Sequence, residues 1–233
     1  MSIDFHTHIL PGIDDGSHSV RQSLHMLEMQ QAAGITHIVA TPHFYARKDS
    51  VEAFVKRRTD SLSRLKEAME GTDLAEIILR CGAEVYYFEG IGKTSMIRQL
   101  CMEDSRLILL EMPFCQWEKA MLSDVKAMLD QGLIVVMAHI ERYLSYQKDK
   151  SVWEEIFSLP VYAQVNGGSF LHWNRRRPCL GFIRDGYPVI LGSDCHNTES
   201  RQPNLDAARA VIEKKLGASV LREIDTRMEE LLR

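Results

Sequence analysis

Residues 1–16 read MSIDFHTHILPGIDDG, and residues 3–9 alternate between two kinds of side chain as a β-strand does. His6 and His8 therefore lie on the same side of the strand, where two imidazoles can bind one metal ion together. Asp14 and Asp15 follow in a turn bounded by glycines, which brings carboxylate oxygens close to these imidazoles. Taken alone, a His-x-His pair is explained better by two polar residues that face water, so the interpretation depends on the rest of the chain.

Length and composition predict a single domain over residues 1–233 with a full-sized core, since 45% of the 233 residues are hydrophobic. A net charge of −4 does not indicate a nucleic-acid partner. The five cysteines are odd in number, widely spaced and without a Cys-x-x-Cys pair, which predicts reduced thiols in the cytoplasm. Neither a signal peptide nor an apolar run of the ~20 residues that a membrane span needs is expected.

Strand-like and helix-like segments alternate along the chain. Seven strands are predicted over residues 3–9, 36–40, 76–87, 107–111, 134–138, 161–165 and 188–191. Helices are predicted over 118–131, 204–216 and 219–232. Three more follow capping patterns, in which Ser or Asp precedes Gln or Glu by three residues. These begin after Ser19, Asp49 and Ser151 and end at Gly34, near Gly71 and before Pro160.

Repeated strand–helix units imply parallel strands with right-handed crossovers. Either an open sheet or a closed barrel satisfies this pattern. The Gly-rich fingerprint of a dinucleotide-binding sheet does not follow the first strand. Polar residues recur at strand ends, which favours an α/β, TIM-barrel-like (β/α)7 barrel of seven parallel strands.

Nearly every predicted strand delivers a His, Asp or Glu at its C-terminal end, and Asn166 ends the sixth. In a parallel barrel these ends form one rim, where active sites are built. Each polar residue could instead have a separate hydrogen-bonding role, but buried carboxylates on successive strands are explained more simply by bound cations. Imidazole and carboxylate ligands without thiolate fit Mn, Fe or Zn, and their number suits two or three divalent ions. The predicted metal ligands are His6, His8, Asp15, His43, Glu84, Glu111, His139, Asp194 and His196.

Other polar residues are expected to have no chemical role. The basic run of residues 175–177, near Trp173, is predicted to be a solvated loop, with contact to an acidic or phosphorylated substrate segment as the alternative. Histidines away from strand ends are expected at the surface or in caps, namely His18, His25, His37 and His172.

Six motifs in this order resemble one known family. They are DFHTH (residues 4–8), PGIDDG (11–16), ATPHF (40–44), GAEVYY (82–87), AHIERY (138–143) and SDCHN (193–197). The chain resembles the polymerase and histidinol phosphatase (PHP) superfamily. Within it, the chain looks most like the manganese-dependent protein-tyrosine phosphatases of bacterial capsule and exopolysaccharide operons.

This resemblance implies a distorted seven-stranded barrel that holds a three-metal cluster, with Mn as the expected ion. It implies hydrolysis of phosphotyrosine on a protein, usually a tyrosine autokinase that controls polysaccharide chain length. It also implies that Arg142 and Arg201 hold the phosphate. The oligomeric state stays open.

Other functions remain as alternatives. A PHP-type phosphoesterase could act on a small phosphomonoester such as histidinol phosphate. An amidohydrolase-like metal hydrolase also opens with His-x-His, although Glu111 stands where many of those enzymes carry a modified lysine. A metal-binding regulatory protein without turnover would not need the two arginines. Finally, Cys195 and Arg201 match the Cys-x5-Arg spacing of cysteine-dependent tyrosine phosphatases, but no glycine lies between them to wrap the backbone around a phosphate.

Overall fold

A computed structural model describes residues 2–233, and strands alternate with helices along them. The strands are β1 (Ile3–Thr7), β2 (His37–Ala40), β3 (His43–Phe44), β4 (Ile78–Cys81), β5 (Glu84–Tyr86), β6 (Leu107–Glu111), β7 (Ile134–Met137), β8 (Tyr162–Asn166) and β9 (Val189–Gly192). The helices are α1 (Val20–Ala32), α2 (Val51–Met69), α3 (Lys119–Asp130), α4 (Ser151–Phe157), α5 (Gly167–Leu171), α6 (Trp173–Arg184), α7 (Leu205–Leu216) and α8 (Ala218–Leu231). Short 3-10 turns lie over Asp73–Glu76, Ile91–Lys93, Ser95–Leu100 and Ile140–Arg142.

The strands form two parallel sheets, ordered β1-β2-β4 and β3-β5-β6-β7-β8-β9. The end of β1 also meets the segment after β9, because Thr7 and Cys195 form a parallel bridge. Here the His8 amide donates to the Cys195 carbonyl at 2.9 Å. The first strand therefore lies beside the last, which closes the arrangement and confirms the predicted α/β, barrel-like fold class.

One of the seven predicted strand regions is interrupted, and the second predicted strand is followed by a short additional strand, β3. The stretch of residues 76–87, predicted to hold the third strand, contains two strands, because β4 and β5 are separated at Gly82. In the neighbouring stretch β2 and β3 are separated around Pro42, which lacks a backbone N–H for a ladder. Hydrogen bonds still join the two breaks, with Glu84 N donating to the Pro42 carbonyl at 3.0 Å. Each broken stretch therefore continues as one side of the barrel, and the distortion lies at these breaks.

The helix starts follow the capping patterns only in part. The Ser19 hydroxyl accepts from Gln22 N, as predicted for α1. The prediction of Asp49 as the cap of α2 is wrong, because Ser50 caps that helix and Asp49 pairs with Arg57. α4 begins at Ser151 without a side-chain cap.

The segment between β8 and β9 was not predicted to be helical. It forms α5 and α6, and residues 175–177 lie within α6 rather than in a loop. In the sequence, the basic residues and the internal Pro178 obscure the helical pattern of the apolar residues that face the core, such as Cys179 and Leu180.

The core lies where strands and helices meet. All five residues of β6 are buried, as the continuous apolar run predicted. Large side chains such as Phe5, Phe54 and Trp117 fill the space around the strands. Among the helices within residues 2–233, none is both long enough and apolar enough to cross a membrane.

Candidate metal centre

The structure brings all nine predicted ligands together, and we call this set the metal centre. Most lie at or after the C-terminal end of a strand, whereas His43 and Glu84 are the first residues of β3 and β5, just after the breaks. His6 lies on β1 and His8 one residue after it, while His139 follows β7. Three ligands, His43, Glu84 and Glu111, lie on β3, β5 and β6, and Asp194 and His196 follow β9. Asp15 is the exposed member, with 66% of its side chain accessible, yet its Oδ1 lies 3.5 Å from Nε2 of both His43 and His196.

Glu84 occupies the middle of this arrangement. Its Oε2 lies 3.2 Å from Nε2 of His6 and of His8 and 3.0 Å from Nδ1 of His43. Its Oε1 lies 2.8 Å from His139 Nε2. Burial acts to raise the pKa of Glu84, but the His6 charge, the hydrogen bond from His139 and the nearby His43 imidazole hold that pKa well below its ordinary value.

Three groups of ligand atoms lie close enough to share ions, with all atoms of a group within 4.8 Å of one another. The groups are His8, Asp15, His43 and His196; His6, His8 and Asp194; and His43, Glu84 and Glu111. Nε2 of His6 lies 3.1 Å from Nε2 of His8. Two nitrogens bound to one ion at about 2.1 Å each would lie roughly 3.0–3.4 Å apart, so this spacing fits a shared ion.

Several buried atoms of the metal centre lack a hydrogen-bond partner. They are Glu84 Oε2, Glu111 Oε2, His43 Nδ1, His139 Nδ1 and His196 Nε2. An unpartnered buried polar atom costs about 1–3 kcal/mol, and more when it is charged. Divalent cations shared within the groups described above would satisfy the atoms of His43, Glu84, Glu111 and His196, so this donor set fits metal ions.

Residues outside the predicted set orient the imidazoles. Asp14 Oδ2 lies 2.7 Å from Nδ1 of His8, and Gln164 Oε1 lies 3.0 Å from Nδ1 of His6. Each contact fixes the tautomer that leaves Nε2 free toward the metal centre. Burial opposes protonation of His8, but the Asp14 carboxylate raises the pKa of His8 well above its ordinary value. Alternation along β8 places Gln164 on the same side as Asn166, a signal that sequence reasoning missed.

The remaining imidazoles differ in charge. Burial lowers the pKa of His139, but hydrogen bonds to Glu111 and Glu84 outweigh it and raise the pKa to about 9. His196 behaves in the opposite way, since burial and the His8 charge lower its pKa to about 3. Metal-free protein therefore holds some of the ligands protonated and others neutral at pH 7.

The backbone is strained at two ligands. His139 has φ +30° and Asp194 has φ +54°, in the left-handed region that non-glycine residues seldom adopt. Such conformations cost about 1–3 kcal/mol each and are maintained when the surroundings over-determine them. Gly192 is required nearby, because a Cβ there would lie 2.5 Å from the Cβ of His6. The left-handed backbone at His139 and Asp194 turns the segments after β7 and β9 toward the metal centre.

Both predicted arginines lie beside Asp194. Arg201 Nη2 donates to Asp194 Oδ1 at 2.8 Å, and Arg142 Nη1 lies 3.7 Å from Asp194 Oδ2. Their side chains are 40% and 37% exposed, so each guanidinium keeps N–H groups on the open side of the rim. Paired guanidinium groups in this position can bind the oxygens of a phosphate.

Cys195 lies outside the metal centre. It is fully buried, and its Sγ lies 3.8 Å from Gln30 Nε2, which donates to Asp4. Burial raises the pKa of this thiol to about 12. The Cys-x5-Arg alternative needs an accessible thiolate, so the structure argues against it. Of the histidines expected at the surface, His18, His25 and His172 are exposed and His37 is partly exposed.

Comparisons with known proteins agree along the length of the chain. The family model described as capsular polysaccharide synthesis, CpsB/CapC, matches residues 2–232. Tyrosine-protein phosphatase CpsB of Streptococcus pneumoniae is 28% identical over 233 residues, covering 95% of this chain and 94% of that protein. Tyrosine-protein phosphatase YwqE of Bacillus subtilis is 27% identical over 241 residues, covering 99% of this chain and 91% of that protein.

A crystal structure agrees with the fold. It comes from a study of YwqE and of S. pneumoniae CpsB, described there as metal-dependent tyrosine phosphatases. Its TM-score is 0.85 at 24% identity, over 99% of this chain and 94% of the solved one.

Proposed function

Because the chain belongs to the capsular polysaccharide synthesis family CpsB/CapC, we propose that it is a metal-dependent protein-tyrosine phosphatase acting in capsule or exopolysaccharide synthesis. Two relatives that align over nearly their whole length are named tyrosine-protein phosphatases. The proposed location is the cytoplasm, as the spacing of the cysteines predicts.

One observation carries the metal dependence: eight of the nine predicted ligands form the three ion-sized groups, and five buried atoms of the nine side chains lack hydrogen-bond partners. We propose that these residues hold two or three divalent ions. Nitrogen and carboxylate donors without thiolate favour Mn, with Fe or Zn as alternatives. Bound ions would supply Lewis-acid activation of water near neutral pH and would neutralise phosphoryl charge.

The protein's own residues supply the rest of the chemistry. Arg142 and Arg201 bind the non-bridging phosphoryl oxygens and hold phosphorus at the metal centre. Asp194 orients Arg201 through the 2.8 Å hydrogen bond. Tyrosinate leaves as the anion of a group with a pKa of roughly 10, so it needs little help from an acid.

The proposed substrate is a phosphotyrosine segment of a tyrosine autokinase. The exposed sides of Arg142 and Arg201 open toward solvent, which suits a substrate presented on a protein chain. A small phosphomonoester such as histidinol phosphate is the second candidate, because the same two arginines would bind its phosphate.

Product release distinguishes these reactions, measured as inorganic phosphate for the two phosphate esters and as free amine for a dipeptide. A phosphotyrosine peptide, histidinol phosphate and a dipeptide are each incubated with protein loaded with Mn²⁺ and with chelated protein. We expect hydrolysis of the phosphotyrosine peptide that chelation abolishes and Mn²⁺ restores. Preferred hydrolysis of histidinol phosphate or of the dipeptide would refute the proposed substrate, and turnover that survives chelation would refute the metal dependence.

A further inference from the structure

An exposed aromatic ring lies next to the metal centre. Phe114 follows β6 and is 36% exposed, an unusual position for a phenylalanine. Its ring lies 6.1 Å from the imidazole of His139 and nearly parallel to it, at 14°. Tyr146, itself 43% exposed, approaches Phe114 with 5.8 Å between ring centres. Two accessible aromatic side chains therefore border the site where the phosphate is proposed to bind.

The same ring contacts Arg142, one of the two arginines proposed to hold the phosphate. The Arg142 guanidinium lies over Phe114, 4.8 Å from the ring centre, in a cation–π contact. The two aromatic residues and Arg142 line an open cavity of about 450 Å³, to which Arg175 also contributes. An apolar surface and an anion-binding group thus adjoin each other in one cavity.

A second cavity of about 450 Å³ also approaches the metal centre, because the ring of Tyr45 in its wall lies 5.3 Å from the imidazole of His43. Tyr45 and Tyr86 line it, and its cations are Arg47 and Lys48. Neither Arg142 nor Arg201 is among its lining residues. This cavity is the competing place for an aromatic group.

We propose that Phe114 and Tyr146 form the subsite that binds the phenyl ring of the substrate's phosphotyrosyl group, an inference that rests on the proposed function. A single oxygen joins the ring to phosphorus, so the ring must lie beside the groups that hold the phosphate. Phe114 meets this condition through its contact with Arg142. Tyr45 also approaches the metal centre, at His43, but neither arginine proposed to hold the phosphate lines its cavity. Seryl and threonyl phosphates lack a ring to fill the cavity, so the subsite selects aryl phosphates.

Calorimetric binding of two phosphonates to the Mn²⁺-loaded protein tests this subsite without turnover. Phenylphosphonate and methylphosphonate carry the same anionic group, and only the first carries a ring. We expect the wild type to prefer phenylphosphonate. Phe114→Ala should weaken phenylphosphonate binding about tenfold, as expected for loss of an aromatic contact, and methylphosphonate binding less than about twofold. Tyr146→Ala should shift the preference in the same direction by a smaller factor.

Tyr86→Ala is the matched control, because it removes an aromatic side chain from the competing cavity, and it should leave the preference unchanged. Selective loss of phenylphosphonate binding in that variant alone would overturn the subsite. Equal weakening of both phosphonates in Phe114→Ala would also overturn it, since Phe114 would then act only by positioning Arg142. Phe114→Leu keeps apolar bulk in place and should retain methylphosphonate binding.

Different results would overturn the subsite and the proposed function. Wild-type protein that hydrolyses the phosphotyrosine peptide but binds both phosphonates equally would overturn the subsite and leave the proposed function standing. Wild-type protein that hydrolyses no phosphomonoester would refute the proposed function and the subsite with it.

Discussion

Two buried carboxylates, Asp4 and Glu84, have opposite surroundings. Asp4 is held by donors of the protein: Ser193 N at 2.8 Å, His6 N at 3.3 Å and Gln30 Nε2 at 2.6 Å. Glu84 is surrounded by imidazoles, and its Oε2 has no hydrogen-bond partner. Burial alone therefore does not identify a metal ligand. The neighbours do, since amide donors fix a structural carboxylate and converging imidazoles form a cation site.

The two carboxylates also differ in acidity. Burial raises the pKa of Asp4 and outweighs the hydrogen bonds from Ser193 and Gln30. For Glu84 the His6 charge and hydrogen bonds outweigh burial, and its pKa is lowered. In the metal-free protein the imidazoles thus provide the positive charge that bound cations would otherwise supply.

The largest effect should come from substituting the two carboxylates one at a time and comparing the variants. Glu84→Gln should lower kcat by roughly a thousandfold, because metal ions contribute several kcal/mol and about 1.4 kcal/mol is tenfold. It should also remove the rise in Tm that Mn²⁺ produces in the wild type. Asp4→Asn should keep metal content and the Mn²⁺-dependent rise, while unfolding free energy falls by about 1–3 kcal/mol. Steady-state kinetics and thermal melts measure both.

The reverse pattern would break the comparison. If Asp4→Asn lost its metal and Glu84→Gln kept both metal and activity, the assignment of the two carboxylates would be wrong.

A smaller loss should follow removal of either arginine. Arg142→Ala and Arg201→Ala should each lower kcat/KM about ten- to a hundredfold, because a charge-assisted hydrogen bond contributes about 1.5–3 kcal/mol. Metal content should stay at the wild-type level in both. Kinetics beside elemental analysis checks this, and unchanged kinetics in either variant would remove that arginine from the site.

Metal binding should depend on pH in a known direction. Metal ions bind neutral imidazole, and the pKa of His139 in the metal-free protein is about 9. Binding at pH 7 must therefore release protons, and apparent Mn²⁺ affinity should rise from pH 6 to pH 8 by up to about tenfold per unit for each proton. His196, with a pKa of about 3, should release none. Calorimetry in two buffers of different ionisation enthalpy counts the protons; a count of zero would contradict the charge states described.

The smallest effect should come from Cys195. Its thiol lies with Gln30 near Asp4, away from the metal centre. Cys195→Ser should keep kcat within about twofold, and iodoacetamide should leave activity unchanged, because the buried thiol has a pKa of about 12. A dead Cys195→Ser variant with its metals bound, together with turnover in chelated protein, would support the cysteine mechanism instead.

Strand alternation and strand ends were sufficient to predict much of this molecule. His6 and His8 share a face because the strand period is two, and Glu111 ends an apolar run typical of a strand buried on both faces. Both signals are local, so the chain order of the ligands could be read without any contact information. The closure of β1 against the segment after β9 follows from the barrel class.

Other features depend on tertiary contacts that no local pattern carries. The left-handed backbone of His139 and Asp194 is maintained by packing, and neither residue type predicts it. In the sequence, Gln164 is an ordinary strand residue. Its role follows only from its contact with His6 and from the hydrogen bond that the His139 amide donates to its Oε1 at 2.6 Å. The helix α6 was missed because its basic run dominated its short apolar face.

Anomalous diffraction from crystals grown with Mn²⁺ tests the metal centre most directly. We predict two or three manganese peaks within the set of nine ligands, with Glu84 between them and the Asp4 carboxylate without a metal contact. A single peak, no peak, or peaks away from these side chains in fully reconstituted protein would contradict the multi-metal centre.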